Sequence, residues 1–192
     1  MKKKIKPIQR FSPAEEVELI EAGDIELFEL YIAQCLLSKK AQMELFKADN
    51  LKMLKAYIKW WPLSADAEIE MLKLRNSGML DDYPYSLHPD AQIELVELGN
   101  WELVKRYVAK FSFSSAVAEA KFLQCGDYDL LKSYMEKNYL YPNAEVKLVK
   151  LGNVQLIKDY IQLCPLSKQA RLELQKFKNL NLLEYHDTMW HI

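Results

Sequence analysis

The chain has little of what most catalytic or metal sites are built from. Among its 192 residues are three histidines, His88, His186 and His191. None of them forms the i, i+4 pair with which a helix holds a metal. Cys35, Cys125 and Cys164 are odd in number and lack C-x-x-C spacing, which argues against a disulfide framework or a zinc site. They read as small buried hydrophobes. The four arginines, Arg10, Arg75, Arg106 and Arg171, leave little for planar phosphate recognition. Five glycines form no Gly-rich phosphate loop. Lys and Arg number 26 against 27 Asp and Glu, so no strong net field points to nucleic acid or acidic lipid. No stretch approaches the roughly 20 apolar residues of a membrane span. The basic start MKKKIKPIQR is followed by no long apolar region, so no signal peptide is expected. No catalytic residue, cofactor, metal or membrane association is expected, and the cytoplasm is the expected location.

What is present is hydrophobic content of 50% and a repeat. The cleanest copy is Leu87 to Phe111, LHPDAQIELVELGNWELVKRYVAKF. Counting Leu87 as position 1, position 2 is His88 here and Ser12, Ser38, Ser64, Ser115 and Ser167 in other copies, a helix N-cap signal. Pro89 follows, as Pro13 and Pro142 do elsewhere, at a place where proline costs a helix nothing. Gly99 can end this first helix and Asn100 can cap a second one at once. Position 14 is Asp24, Asn50, Asn76, Asn100, Asp127, Asn153 and Asn179 in turn. Position 21 is Tyr31, Tyr57, Tyr83, Tyr107, Tyr134 and Tyr160, spaced by 26, 26, 24, 27 and 26 residues. Self-similarity at this period is the mark of a stacked repeat array.

The reading divides the chain into a basic lead-in, 1–10, one array over 11–185, and a tail, 186–192, that leaves the pattern. The repeats lie near 11–36, 37–62, 63–86, 87–112, 113–139, 140–165 and 166–185. Repeat 1 differs at position 5. Glu15 stands where later copies have Ala41, Ala67, Ala91, Ala118, Ala144 and Ala170, and it can close a capping box with Ser12. Recurrent alanine predicts close helix approach. Repeat 3 is two residues short, with Gly78 weakening its second helix and Pro84 ending it early. In repeat 7, Gln175 and Lys178 replace an apolar residue and the turn glycine, as suits a polar end. In the first helices, positions 5, 9 and 12 are expected on one face and 7 and 10 on nearly the opposite one. In the second helices, positions 16, 19, 20 and 23 should form a wet face.

The motif L-S-x-x-A-E-x-x-L-x-x-L-G-N-x-x-L-[IVL]-K-x-Y-I, plainest in repeats 4 and 6, resembles the units of the α-solenoid class over about 180 of the 192 residues. That class includes HEAT, armadillo and tetratricopeptide arrays. The unit here is shorter, and it is similar to the compact αα repeats of uncharacterised bacterial helical-repeat proteins. The resemblance implies an all-α, right-handed α-α superhelix of about seven helix-turn-helix repeats. It also implies macromolecular binding rather than catalysis, by analogy of fold.

The carboxylates Glu18, Glu44, Glu70 and Glu94 read as a solvated face. The wet faces of successive second helices should line up as a ribbon whose charge changes sign from repeat to repeat. Lys52, Lys55, Lys59 and Trp60, then Asp81, Asp82 and Tyr85 at the irregular repeat 3, then Lys105, Arg106, Lys132 and Lys158 are the candidate partner-binding residues. A mixed ribbon suits a protein partner. The alternative is a nucleic-acid-binding helical-repeat protein that uses the same Lys and Arg, since phosphate contacts dominate such affinity. A monomer, or weak self-association, is expected.

Overall fold

Two recurring caps turn the sequence pattern into helices. Ser12, Ser38, Ser115 and Ser167 each accept a backbone N–H three residues on, which starts the first helix of a repeat. Asp24, Asn50, Asn100, Asp127 and Asn153 do the same for second helices. Between them the chain reverses at a left-handed residue. Gly99 and Gly152 have φ of 65° and 71° there, and repeat 2 uses Asp49 at φ 48° instead.

The structure is a computed structural model that describes residues 9–74, 78–177 and 180–191. The expectations placed on Lys2, Lys3, Lys4, Lys6, Arg75, Asn76, Lys178 and Asn179 lie outside the described residues. Among those described there are 14 α-helices and no strand, an all-α helical-repeat fold. The chain divides into two compact units, Met1–Ala91 and Gln92–Ile192.

The first unit holds α1 (Pro13–Ala22), α2 (Ile25–Ile32), α3 (Lys39–Lys47), α4 (Leu51–Ile58), α5 (Ala65–Lys73) and α6 (Met79–Asp82). First helices pack in one row, α1 on α3 and α3 on α5, and α2 packs on α4 in another. Helix α6 is a single turn, because Gly78 precedes it and Pro84 follows it. Helix α7 (Pro89–Glu97) crosses the boundary. The second unit continues with α8 (Trp101–Lys110), α9 (Ala116–Phe122), α10 (Tyr128–Met135), α11 (Pro142–Leu151), α12 (Val154–Leu163), α13 (Lys168–Lys176) and α14 (Leu180–Trp190). Here α9, α11 and α13 form one row, and α10, α12 and α14 the other.

The first helices bury one arc, not two opposite faces. In α7 the buried residues are Ala91, Gln92, Leu95 and Val96, positions 5, 6, 9 and 10, while Leu98 at position 12 is exposed. The same four positions are buried in α3, α5, α9 with its following turn, and α11. At about 100° per residue they span roughly 140°, so the arc is broad and continuous. Every alanine at position 5 has no exposed surface.

The tail is a further correction. Residues 186–190 do not leave the pattern, because α14 runs through them as the second helix of repeat 7. His186 occupies position 21, is fully buried, and accepts the Leu166 N–H at 3.1 Å. Leu63 and Leu140 donate to Tyr83 and Tyr160 in the same way. Trp190 donates from Nε1 to the Ile161 carbonyl at 2.8 Å, and Trp61, at the same repeat position, donates to Ile32 at 2.7 Å. Cys164 is buried, whereas Cys35 and Cys125 are only half-buried.

Candidate functional site

The ribbon residues divide between the two units. In the first, Lys52, Lys55 and Lys59 are exposed along α4 and its end. Lys55 pairs with Asp82 at 2.8 Å, while Lys52 and Lys59 meet no acid among the described residues. Trp60 and Trp61 part company. Trp61 turns in to the Ile32 carbonyl, and Trp60 turns out with 59% of its surface exposed. At repeat 3, Asp81 and Asp82 are exposed and Tyr85 is half-buried, its ring set edge-on to Tyr83 at 5.5 Å. Tyr83 is not open to a ligand, because it is buried on Glu68. Leu51, Lys55, Gly78, Met79, Asp81 and Asp82 line a cleft of about 390 Å³.

In the second unit the expected wet face is half-closed. Lys105, Arg106, Lys132 and Lys158 are each half-buried, because adjacent second helices lie close enough to pair. Lys105 bonds Asp127 at 3.1 Å and Glu102 at 3.4 Å. The Asp127 carboxylate holds the Lys105 ammonium above its ordinary range. The Leu130 N–H and then Lys105 hold Asp127 below its own. Lys132 reaches Asp159 at 3.9 Å, and the Tyr128 hydroxyl also donates to Asp159, which pushes the tyrosine up. Lys158 lies 5.7 Å from the centre of the Tyr185 ring. These cations serve their own chain first.

The buried polar chemistry lies elsewhere, at position 6. Glu16, Gln42, Glu68, Gln92, Glu119 and Glu145 are all buried. In four repeats one carboxylate oxygen accepts from the tyrosine hydroxyl fifteen residues on: Tyr31, Tyr83, Tyr134 and Tyr160, at 2.7–2.9 Å. The other oxygen accepts the backbone N–H that begins the next repeat: Ser38, His88, Tyr141 and Ser167, at 2.6–2.8 Å. Gln42 and Gln92 keep the second contact, to Ser64 at 2.7 Å and to Ser114 at 2.8 Å. They differ in the first. Gln92 donates to the Tyr107 hydroxyl at 3.1 Å, but Gln42 donates to the Leu37 carbonyl at 3.0 Å. The Tyr57 hydroxyl is left buried without a hydrogen-bond partner. Burial pushes its pKa up, against the pull of the Leu37 backbone.

This network explains the alanine rule. The N–H of a helix N-cap residue needs an acceptor. In repeat 1, Glu15 supplies it to Ser12 at 2.7 Å, from within the same helix. In later repeats position 6 of the preceding copy supplies it, so position 5 is free to be alanine and to pack closely. Repeat 7 changes both partners together. Arg171 replaces the acid and His186 the tyrosine, with Asp187 bonded to each at 2.8 Å. His186 Nε2 accepts from Leu166, so Nδ1 carries the proton it donates to Asp187. The signal that would have revealed the network was this joint change, alongside Glu or Gln at every earlier position 6.

Burial pushes the Glu68 carboxyl up, against the pull of the Tyr83 hydroxyl and the His88 N–H. Burial also raises Glu119, against Tyr141 and Tyr134. Each acid has both oxygens engaged inside the protein, which fits a structural role. Among the described residues no three His, Cys, Asp or Glu side chains gather to hold a metal ion, and no helix is long and apolar enough to cross a membrane. No protein-family model, curated protein or solved structure matches the chain.

Proposed function

We propose that the protein is a non-catalytic protein-interaction module, built like the α-solenoids its repeat resembles, and that its partner meets the second-helix ribbon at Lys52, Lys59 and Trp60. One observation carries this reading: Trp60 is 59% exposed beside two exposed lysines that no acid of the described residues neutralises. Tryptophan is enriched among the residues that dominate binding energy at protein interfaces. The mixed charge of the remaining ribbon suits a complementary protein face.

A nucleic acid takes second place. Polyanion binding needs cations free to reach phosphates. Lys55, Lys105 and Lys132 are each given to a carboxylate of the same chain.

The test is affinity capture from lysate of the protein's own cells, with and without nuclease, comparing wild type with a Lys52→Glu, Lys59→Glu, Trp60→Ala variant. A defined set of proteins that survives nuclease and is lost with the variant is the expected result. Partners retained by the variant would overturn the assignment of the surface. Co-purifying nucleic acid that is lost in high salt would replace the protein partner.

A further inference from the structure

We propose that the free edge of repeat 1, formed by Glu18, Asp24, Leu27 and Leu30, docks a basic amphipathic helix of a partner protein. The surface shares no residue with the ribbon lysines and Trp60, so either assignment can fail alone.

The edge is identified by how later repeats meet their predecessors. Lys55, Lys132 and Lys158, all at position 19, reach Asp82, Asp159 and Tyr185 at position 20 of the following repeat. Lys105, also at position 19, reaches Asp127 at position 14 of the following repeat. In the first-helix row, Glu97 and Lys150 at position 11 reach Lys121 and Glu173 at position 8 of the following repeat. A repeat therefore turns positions 8, 14 and 20 toward the copy before it. In repeat 1 these are Glu18, Asp24 and Leu30, and all three are exposed.

Position 17 completes the edge. Met53, Met79, Leu103, Leu156 and Leu182 show at most 4% of their surface there and Leu130 is half-buried, whereas Leu27 shows 42%. Leu30, beside it at i+3, shows 54%. Later repeats carry Ala56, Asp82, Arg106, Ser133, Asp159 and Tyr185 at position 20, so a leucine is unusual at that place. Two exposed leucines one turn apart present an apolar strip the length of a helix contact.

Charge decides the occupant. Phe11 to Leu36 contains seven acids and no Lys or Arg. Six of the acids are exposed: Glu15, Glu18, Glu21, Asp24, Glu26 and Glu29. Repeat 2, Leu37 to Pro62, has six lysines against two acids. Among the described residues no helix precedes α2 in its row, whereas α2 itself lies against α4, α10 against α12, and α12 against α14. A partner helix seated before α2 needs apolar residues at i, i+3 or i+4 spacing over Leu27 and Leu30. A Lys or Arg would stand near Asp24, as Lys105 stands near Asp127. A second copy would bring the same acids against one another, which is unfavourable if the edges meet face to face.

The test uses a fluorescein-labelled 14-residue synthetic peptide of Leu and Lys in helical amphipathic register. Two counterparts carry Ser for every Leu, or Glu for every Lys. Anisotropy at physiological salt should show saturable binding of the Leu/Lys peptide. Leu30→Lys should weaken it at least about tenfold, as loss of a central apolar contact does. Asp24→Asn, which keeps the helix cap, should weaken it severalfold, with thermal melts confirming that both variants fold. Unchanged affinity in Leu30→Lys, or equal binding of the Ser counterpart, would overturn the proposal and leave only a general acidic surface. Binding seen only after removal of Met1–Arg10 would assign the edge to the chain's own basic lead-in. Self-association abolished by Leu30→Lys would assign it to a second copy. Either result would overturn the external partner.

Discussion

Glu119 accepts the Tyr134 hydroxyl at 2.8 Å within one repeat and, with its other oxygen, the Tyr141 N–H of the next at 2.7 Å. Tyr134 in turn accepts the Phe113 N–H at 3.2 Å, where its own repeat begins. One buried acid thus ties two helices of a repeat to the start of the following one. The geometry recurs at Glu16, Glu68 and Glu145.

The hydroxyls in this network should differ sharply in their effect on stability. Tyr134→Phe leaves a buried carboxylate and a buried N–H each short of a partner, which should cost about 1–3 kcal/mol. Tyr57→Phe removes a hydroxyl that has no partner, and should cost less than about 0.5 kcal/mol. Urea denaturation of the two variants checks this. Equal losses would contradict it.

The fully buried alanines should tolerate nothing larger. Ala144→Glu places a charge in a close helix contact next to Glu145, and should cost about 3 kcal/mol or more. Thermal melts decide it, and a melting temperature unchanged from wild type would count against close approach at position 5.

Glu68 should make stability depend on pH in the less usual direction. Its folded carboxyl is held above the ordinary value of 4.5 by burial. The folded state therefore binds this proton more tightly than the unfolded state does. The stability this contributes is present below 4.5 and is lost as pH rises through the folded pKa. Glu68→Gln keeps the shape and adopts the residue already used at Gln42 and Gln92. Wild type should gain on the variant as pH falls from 7 toward 4.5, in paired denaturant melts. A constant difference across that window would remove the argument.

Asp49 is held at φ 48°, where most repeats have glycine. Asp49→Gly should raise stability by up to about 1 kcal/mol, since strain relief outweighs the added freedom of the unfolded chain. A loss of similar size would mean the aspartate side chain supports the turn.

Much of the fold was legible because its signals are local. Asp24, Asn50, Asn100, Asp127 and Asn153 each cap the helix that follows, and a cap needs only the next three residues to act. Pro84 and Gly78 shortened α6 for the same reason. The network at position 6 was hidden because its partners lie 15 and 22 residues away, and because a glutamate among glutamates looks solvated. Gln92 illustrates this: along the chain it reads as one more polar residue, yet on a helical wheel it falls between Leu95 and Val96 and it has no exposed surface. His186 was misread because the position-21 tyrosine had become a histidine, so the repeat seemed to end before it did. The half-burial of Lys105 and Lys132 could not be read from one helix, since it depends on the acids of the adjacent one.

Amide hydrogen exchange at the N-cap residues tests the central claim most directly. The N–H of an N-cap residue has no backbone partner within its helix, and exposed ones exchange readily. Ser38, Ser64, Tyr141 and Ser167 donate theirs to Glu16, Gln42, Glu119 and Glu145. These four amides should be protected to nearly the extent of amides inside α3 and α11. Ser12, whose acceptor Glu15 is exposed, should exchange much faster. Rapid exchange at all five would mean that the buried acids do not hold one repeat to the next.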